Sequence, residues 1–118
     1  MTHPEPESPD RSKESILEEA QRLTSGPRQD AYGHPLDDYM RTAEIWNALL
    51  KHKLAPGQSI EWADALRCMC SVKLSRDVHS MSRDNMTDLA GYARCRQEAL
   101  EEEERRGAYH ANTISLRD

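Results

Sequence analysis

Four stretches of this chain set apolar side chains three and four residues apart, and no stretch alternates apolar and polar residues as a strand would. That periodicity limits the fold to an all-α one, with four helices packed as a bundle. A length of 118 residues fits one domain. Phe is absent, so aliphatic side chains, Met and Ala must fill the core.

Residues 1–11 carry Pro4, Pro6, Pro9 and several charges, and read as a disordered leader. The helical domain is expected over 12–106. Its first helix starts near Ser12 as N-cap and runs to about Thr24, with a stripe of Ile16, Leu17, Ala20 and Leu23. Ser25-Gly26-Pro27 stops it. After a linker over 28–34, Pro35 suits the first turn of a second helix, which reaches about Lys53. Its core face is Tyr39, Ala43, Trp46, Leu49 and Leu50; Asp37, Arg41, Glu44 and Lys51 face away.

Ala55-Pro56-Gly57-Gln58 makes a turn, and Ser59 is a good N-cap for a third helix over about 60–78, with Glu61 at its positive end. Ile60, Ala63, Leu66, Met69, Cys70, Val72 and Leu74 cover most of its circumference. A helix of that kind is expected at the centre. The fourth helix starts near Ser82 and runs to about Arg106, with Met86, Leu89, Ala93 and Leu100 as its main stripe. Residues 107–118 read as a loose tail.

Polar residues inside these apolar segments carry the chemical information, because charges rarely sit there without a partner, a metal or a ligand. Glu61 and Asp64 share a helix flank, as do Asn85 and Asp88, with Asp84 nearby. Two such oxygen-bearing pairs are donors that a hard divalent cation accepts. The structural alternative weighs more. Glu61 then complements a helix N-terminus, Asp84 caps the fourth helix, and Asp88 pairs with Arg76 or Arg94.

Asp84, Asp88, Gly91, Tyr92 and Cys95 share a face opposite the main stripe of the fourth helix. Two packable faces on one helix point to a neighbouring subunit or a lined pocket.

Lys73 and Arg76 lie three apart on one face. They suit phosphate neutralisation or an internal ion pair, Lys73 with Asp77 and Arg76 with an acid on the fourth helix. In the loop Arg28-x-x-x-Tyr32-Gly33-His34, Gly33 can take positive φ. Tyr32 there either stacks on a base or plugs the core, and Arg28 and His34 are the phosphate candidates. Cys68 and Cys70 read as small core residues.

The net charge of −5 argues against a duplex-DNA binder, and a helix-turn-helix reading of the Ala55-Pro56-Gly57 turn ranks last. Three cysteines without a C-x-x-C pair fit a reduced, cytoplasmic setting. No apolar run is long enough for a membrane span.

Ala31-Tyr32-Gly33-His34-Pro35, Trp46-Asn47, Lys73-Leu74-x-Arg76 and Asp84-x-x-x-Asp88-Leu-Ala-Gly91-Tyr92-Ala93 resemble an uncharacterised helical domain common in actinobacteriophage and actinobacterial genomes. The resemblance spans about residues 15–100. It implies a host-cell cytoplasmic setting if the chain is phage-encoded, and carries no activity.

The chain also looks distantly like the MazG-like all-α nucleotide pyrophosphohydrolases. Those enzymes hold Mg²⁺ with an E-x-x-E and a later E-x-x-D pair, and work as dimers or tetramers. That resemblance implies Mg²⁺ on Glu61, Asp64, Asp84, Asn85 and Asp88, with Glu61, Asp64 and Asp88 in the catalytic role. Lys73, Arg76, Arg28, Tyr32 and His34 would take the nucleotide. Asp64 stands where a glutamate is usual, and Asn85 where an acid is. A nucleotide binder that does not cleave is the nearest variant of this reading. The alternative from another class is a non-catalytic protein that contacts a host protein. A homodimer is expected in either case.

Overall fold

The computed structural model describes residues 13–113, and these are helical with no strand. The expected leader over 1–11, the Ser12 cap and the tail residues 114–118 lie outside them. Four long helices form the frame: α1 (Ile16–Thr24), α3 (Pro35–Leu49), α4 (Trp62–His79) and α5 (Arg83–Thr113). A short helix, α2 (Pro27–Tyr32), replaces the expected linker, and a 3₁₀ turn over Lys51–Lys53 follows α3.

The caps explain the boundaries. Ser15 starts α1 with a reciprocal capping box: its hydroxyl accepts from Glu18 N at 3.0 Å, and its own N donates to the Glu18 carboxylate at 3.2 Å. Gly33, at φ +83°, ends α2 by donating its N–H to Gln29 O at 2.7 Å. His34 then caps α3, with Nδ1 accepting from Leu36 N at 3.1 Å. Glu61, not Ser59, caps α4. Ser82 caps α5, its hydroxyl accepting from Asn85 N at 3.2 Å. The fifth helix continues seven residues past Arg106, so the expected tail is helical as far as Thr113.

The centre of the fold is α5, which packs against α1, α3 and α4. The expectation that the third helix would be central is corrected: α4 fully buries only Ala65 and Leu66, and leaves Val72, Leu74 and Val78 exposed. The core is Leu36, Tyr39 and Ala43 from α3, Ala65 and Leu66 from α4, Cys95 and Ala99 from α5, and Ala20 from α1. Trp46, Ile60, Trp62, Met69 and Tyr92 pack around it. Small residues at the helix contacts let the backbones approach closely.

Three further expectations change. Leu49 and Leu50 are exposed at the C-terminal end of α3. Leu17 and Leu23 are also exposed. Most telling, α5 does not bury the stripe of Met86, Leu89, Ala93 and Leu100. It buries Thr87, Gly91, Cys95 and Ala99 instead.

Asn47 holds the irregular segment before α4. Its amide donates to Ile60 O at 2.8 Å and accepts from Ile60 N at 2.7 Å. Asn47→Ala strips both bonds from a partly buried peptide, and should cost about 1–2 kcal/mol in urea unfolding.

Arg106 ties the far end of α5 to α3 and to its own helix, pairing with Asp37 at 2.9 Å and Glu102 at 2.8 Å. Hydrogen bonds from Arg105 and Arg106 hold the Glu102 carboxyl down at about 2, against an ordinary 4.5. A carboxylate with a depressed folded value stabilises above its unfolded value, and that stabilisation is lost as pH falls toward about 2. Glu102→Gln should therefore flatten the fall in Tm between about pH 4.5 and 2.

Candidate functional site

A cavity of about 190 Å³ opens where α1, α2, α4 and α5 meet. Its floor exists because of Gly91. A Cβ there would meet the Thr24 Cγ2 methyl at 3.2 Å, so the glycine lets α1 lie close on α5. The face of α5 read as awaiting a subunit or a pocket is thus covered by α1 of the same chain, and the gap left over is the cavity.

Two cations reach this cavity from different elements. Arg28 comes from α2 and Lys73 from α4. The Arg28 guanidinium rests on aromatic groups: it lies 5.3 Å over the Tyr32 ring centroid and 3.5 Å from the Tyr39 hydroxyl. Burial works against its charge, but Tyr39, Cys95 and Asp38 keep its pKa above the ordinary value. The Lys73 Nζ lies 2.8 Å from Asp88 Oδ2, and the lysine side chain is 17% exposed while that of Asp88 is 40% exposed. Thr24, Thr87 and Tyr92 add hydroxyls to the walls. Burial pushes the Tyr92 phenol up, with Lys73 and Arg28 acting in the opposite direction, so Tyr92 is a neutral donor at pH 7.

Cys95 also lines the cavity, and burial raises its thiol pKa. It stays protonated and packs as a small apolar group rather than acting as a nucleophile. Cys70 is half-buried and shifted the same way, whereas Cys68, expected in the core, is exposed.

The other expected site residues lie elsewhere. Glu61 and Asp64 form a capping box at the start of α4. The Asp64 carboxylate accepts from Glu61 N at 3.0 Å and pairs with Arg67 at 3.1 Å. Asp64 precedes Lys73 by nine residues, about 13 Å along the helix, so this pair is remote from Asp88. Asn85 is buried and locks the α4–α5 turn: its Nδ2 donates to Asp77 Oδ1 at 3.3 Å. Asp84 is exposed. Among the described residues, no three His, Cys, Asp or Glu are grouped to hold a metal ion. The five expected metal ligands do not converge.

Of the nucleotide candidates, Arg28 and Lys73 come together. Arg76 is exposed and outside the cavity lining, and His34 is occupied as a helix cap. Tyr32 neither plugs the core nor lines the cavity; it is 56% exposed beneath Arg28. Tyr92, with Asp88, Gly91 and Cys95, comes from the α5 face expected to meet a subunit or line a pocket; Thr24 and Thr87 were not expected in the site. The signal for them is Gly91, a glycine inside a helix, which marks a close approach by another element.

No helix among the described residues is long and apolar enough to cross a membrane. No solved structure gives a significant match to the chain. The chain is 37% identical over 90 residues to the Gene 55 protein of Mycobacterium phage D29, covering 75% of this chain and 56% of that protein. It therefore spans little more than half the length of that relative. A family model described as a domain of unknown function, DUF6378, matches residues 15–100, the stretch that holds all four sequence blocks and the whole cavity. The chain belongs to the DUF6378 family of uncharacterised proteins, with a phage gene product among its relatives.

Proposed function

We propose that this protein handles nucleotides, binding their phosphate groups in the cavity between α1, α2, α4 and α5. One observation carries the reading. Arg28 and Lys73, from separate helices, converge with Tyr92 on one concave site, although the chain as a whole is acidic. Cations from separate helices reaching one concave site are the arrangement that phosphate recognition uses. Tyr32, exposed beside Arg28, is the ring on which a base would stack.

A Mg²⁺-dependent triphosphate pyrophosphohydrolase, as in MazG-like enzymes, is the catalytic form of this proposal. The donors do not form a protein cage for the ion, because Glu61 and Asp64 stand apart from Asp88. Mg²⁺ does enter sites on substrate phosphates with one or two carboxylates, and Asp88 is the carboxylate in the cavity. The test is product analysis after incubating the chain with NTPs and dNTPs and Mg²⁺ or Mn²⁺. Monophosphate plus pyrophosphate, lost in Asp88→Ala, supports hydrolysis. Saturable binding without turnover leaves a binder. The absence of both binding and turnover would refute the nucleotide reading and favour a protein-contacting role.

A homodimer is proposed on a different face from the one the sequence pointed to. The stripe of Met86, Leu89, Ala93 and Leu100 on α5 is left partly or fully open, and covering it in a second copy would remove apolar surface from water. Light scattering should give twice the chain mass, falling to one chain in Leu100→Glu; a monomer at high concentration would refute it.

A further inference from the structure

The outer face of α5 has a definite order along its length. Met86, Ala93 and Leu100 recur every seven residues and so form one line, with Leu89, Ala90 and Gln97 beside it. Ala93, Gln97 and Leu100 are exposed, and Met86, Leu89 and Ala90 are half-buried. The N-terminus of α5 and Arg83 stand at one end of the line, and Glu104 stands at the other. Arg105 and Arg106 both turn to Glu102, and no described cation pairs with Glu104.

This order decides how a second α5 can lie on the line. In a parallel pair each residue would meet its own counterpart, and Glu104 would be pressed against another Glu104, a like-charge contact that costs affinity. In an antiparallel pair with its two-fold axis at Ala93, Met86 would meet the partner's Leu100. Ala93 would face itself, and its small side chain lets the helices approach. Glu104 would reach the start of the partner's α5, where the helix dipole favours a carboxylate. The last turns of α5, which runs to Thr113, would then pass over the α4–α5 turn of the second copy. Val78 and Met81 stand at that turn, 88% and 87% exposed, and gain from being covered.

We infer that α5 pairs antiparallel with α5 of a second copy, across a two-fold axis at Ala93. The inference rests on the homodimer proposed above, and adds the orientation and register of the partner on that face.

The test is disulfide cross-linking of the full chain in a Cys68→Ser background, which removes the exposed native thiol and serves as the blank. Ala93→Cys should give a covalent dimer on oxidation. Met86→Cys and Leu100→Cys should each stay uncross-linked alone, and should cross-link when mixed under reducing conditions and then oxidised. Alone, each thiol lies seven residues from the axis, so about 21 Å from its counterpart and beyond the reach of a disulfide. Cross-linking of Met86→Cys or Leu100→Cys alone would show a parallel pair, and would overturn the inference while leaving the dimer. Glu104→Gln gives a readout without new thiols. It should raise the dimer Kd about threefold or more in the antiparallel pair, whereas a lowered Kd would mark the parallel one and overturn the inference. A dimer by light scattering in which neither Ala93→Cys nor the mixture cross-links would also overturn it. A monomer at high concentration refutes the dimer itself, and the inference with it.

Discussion

Lys73→Met should raise the Kd for a nucleoside monophosphate by about 10- to 150-fold while leaving the helical fold intact. The magnitude follows from losing one hydrogen bond to a charged group, worth about 1.5–3 kcal/mol. Met keeps the apolar stem that Lys73 packs against α5, so the cavity walls stay in place. The partner left behind, Asp88, is 40% exposed and can be solvated, so the change in stability should stay within about 1 kcal/mol. Titration gives the first quantity and urea unfolding the second. A large loss of stability with unchanged affinity would show Lys73 to be a structural ion-pair partner and no ligand.

Leu36→Ala should cost about 2–5 kcal/mol, the range for truncating a well-packed core leucine. Leu36 is 2% exposed and sits in the first turn of α3, where α2 and the His34 cap hand over to the long helix. Removing its side chain opens a hole at the start of α3, directly after the segment that carries Arg28, so ligand affinity should weaken with stability. The control is Leu49→Ala on the same helix. Leu49 is 66% exposed, and its loss should change stability by no more than about 0.5 kcal/mol. Two-state urea curves measure both. Equal costs would contradict the assignment of the α3 core face.

The contrast between these leucines shows how far the sequence alone could go. Helical periodicity placed Tyr39 and Ala43 in the core correctly, and Asp37, Arg41 and Glu44 outside. It could not show that the core face of α3 stops at Trp46 and leaves Leu49 and Leu50 exposed. On α5 the error was systematic. The largest apolar residues, Met86, Leu89 and Leu100, drew the core face toward themselves. The packed face is made of Thr87, Gly91, Cys95 and Ala99, residues that contribute little apolar area but let α1 come close.

The candidate site was legible in its parts and not in its assembly. Spacing tells which flank of a helix a carboxylate occupies, and Glu61 with Asp64 do share one. It does not tell the level at which two helices meet. That level is set by the α4–α5 turn, locked by Asn85, Asp77 and Ser82. It brings Lys73 to Asp88 and leaves Asp64 beside Arg67 at the other end of α4. Arg28 was singled out as part of an unusual loop, but only the short helix α2 turns it inward.

The most direct test of the central claim is to map amide chemical shifts in the ¹⁵N-labelled chain while adding a nucleoside monophosphate. The account predicts that Thr24, Arg28, Thr87, Asp88, Gly91 and Tyr92 shift together and saturate at one concentration, with Glu61 and Asp64 unmoved. Shifts centred on Glu61 and Asp64, or none anywhere at millimolar ligand, would contradict it.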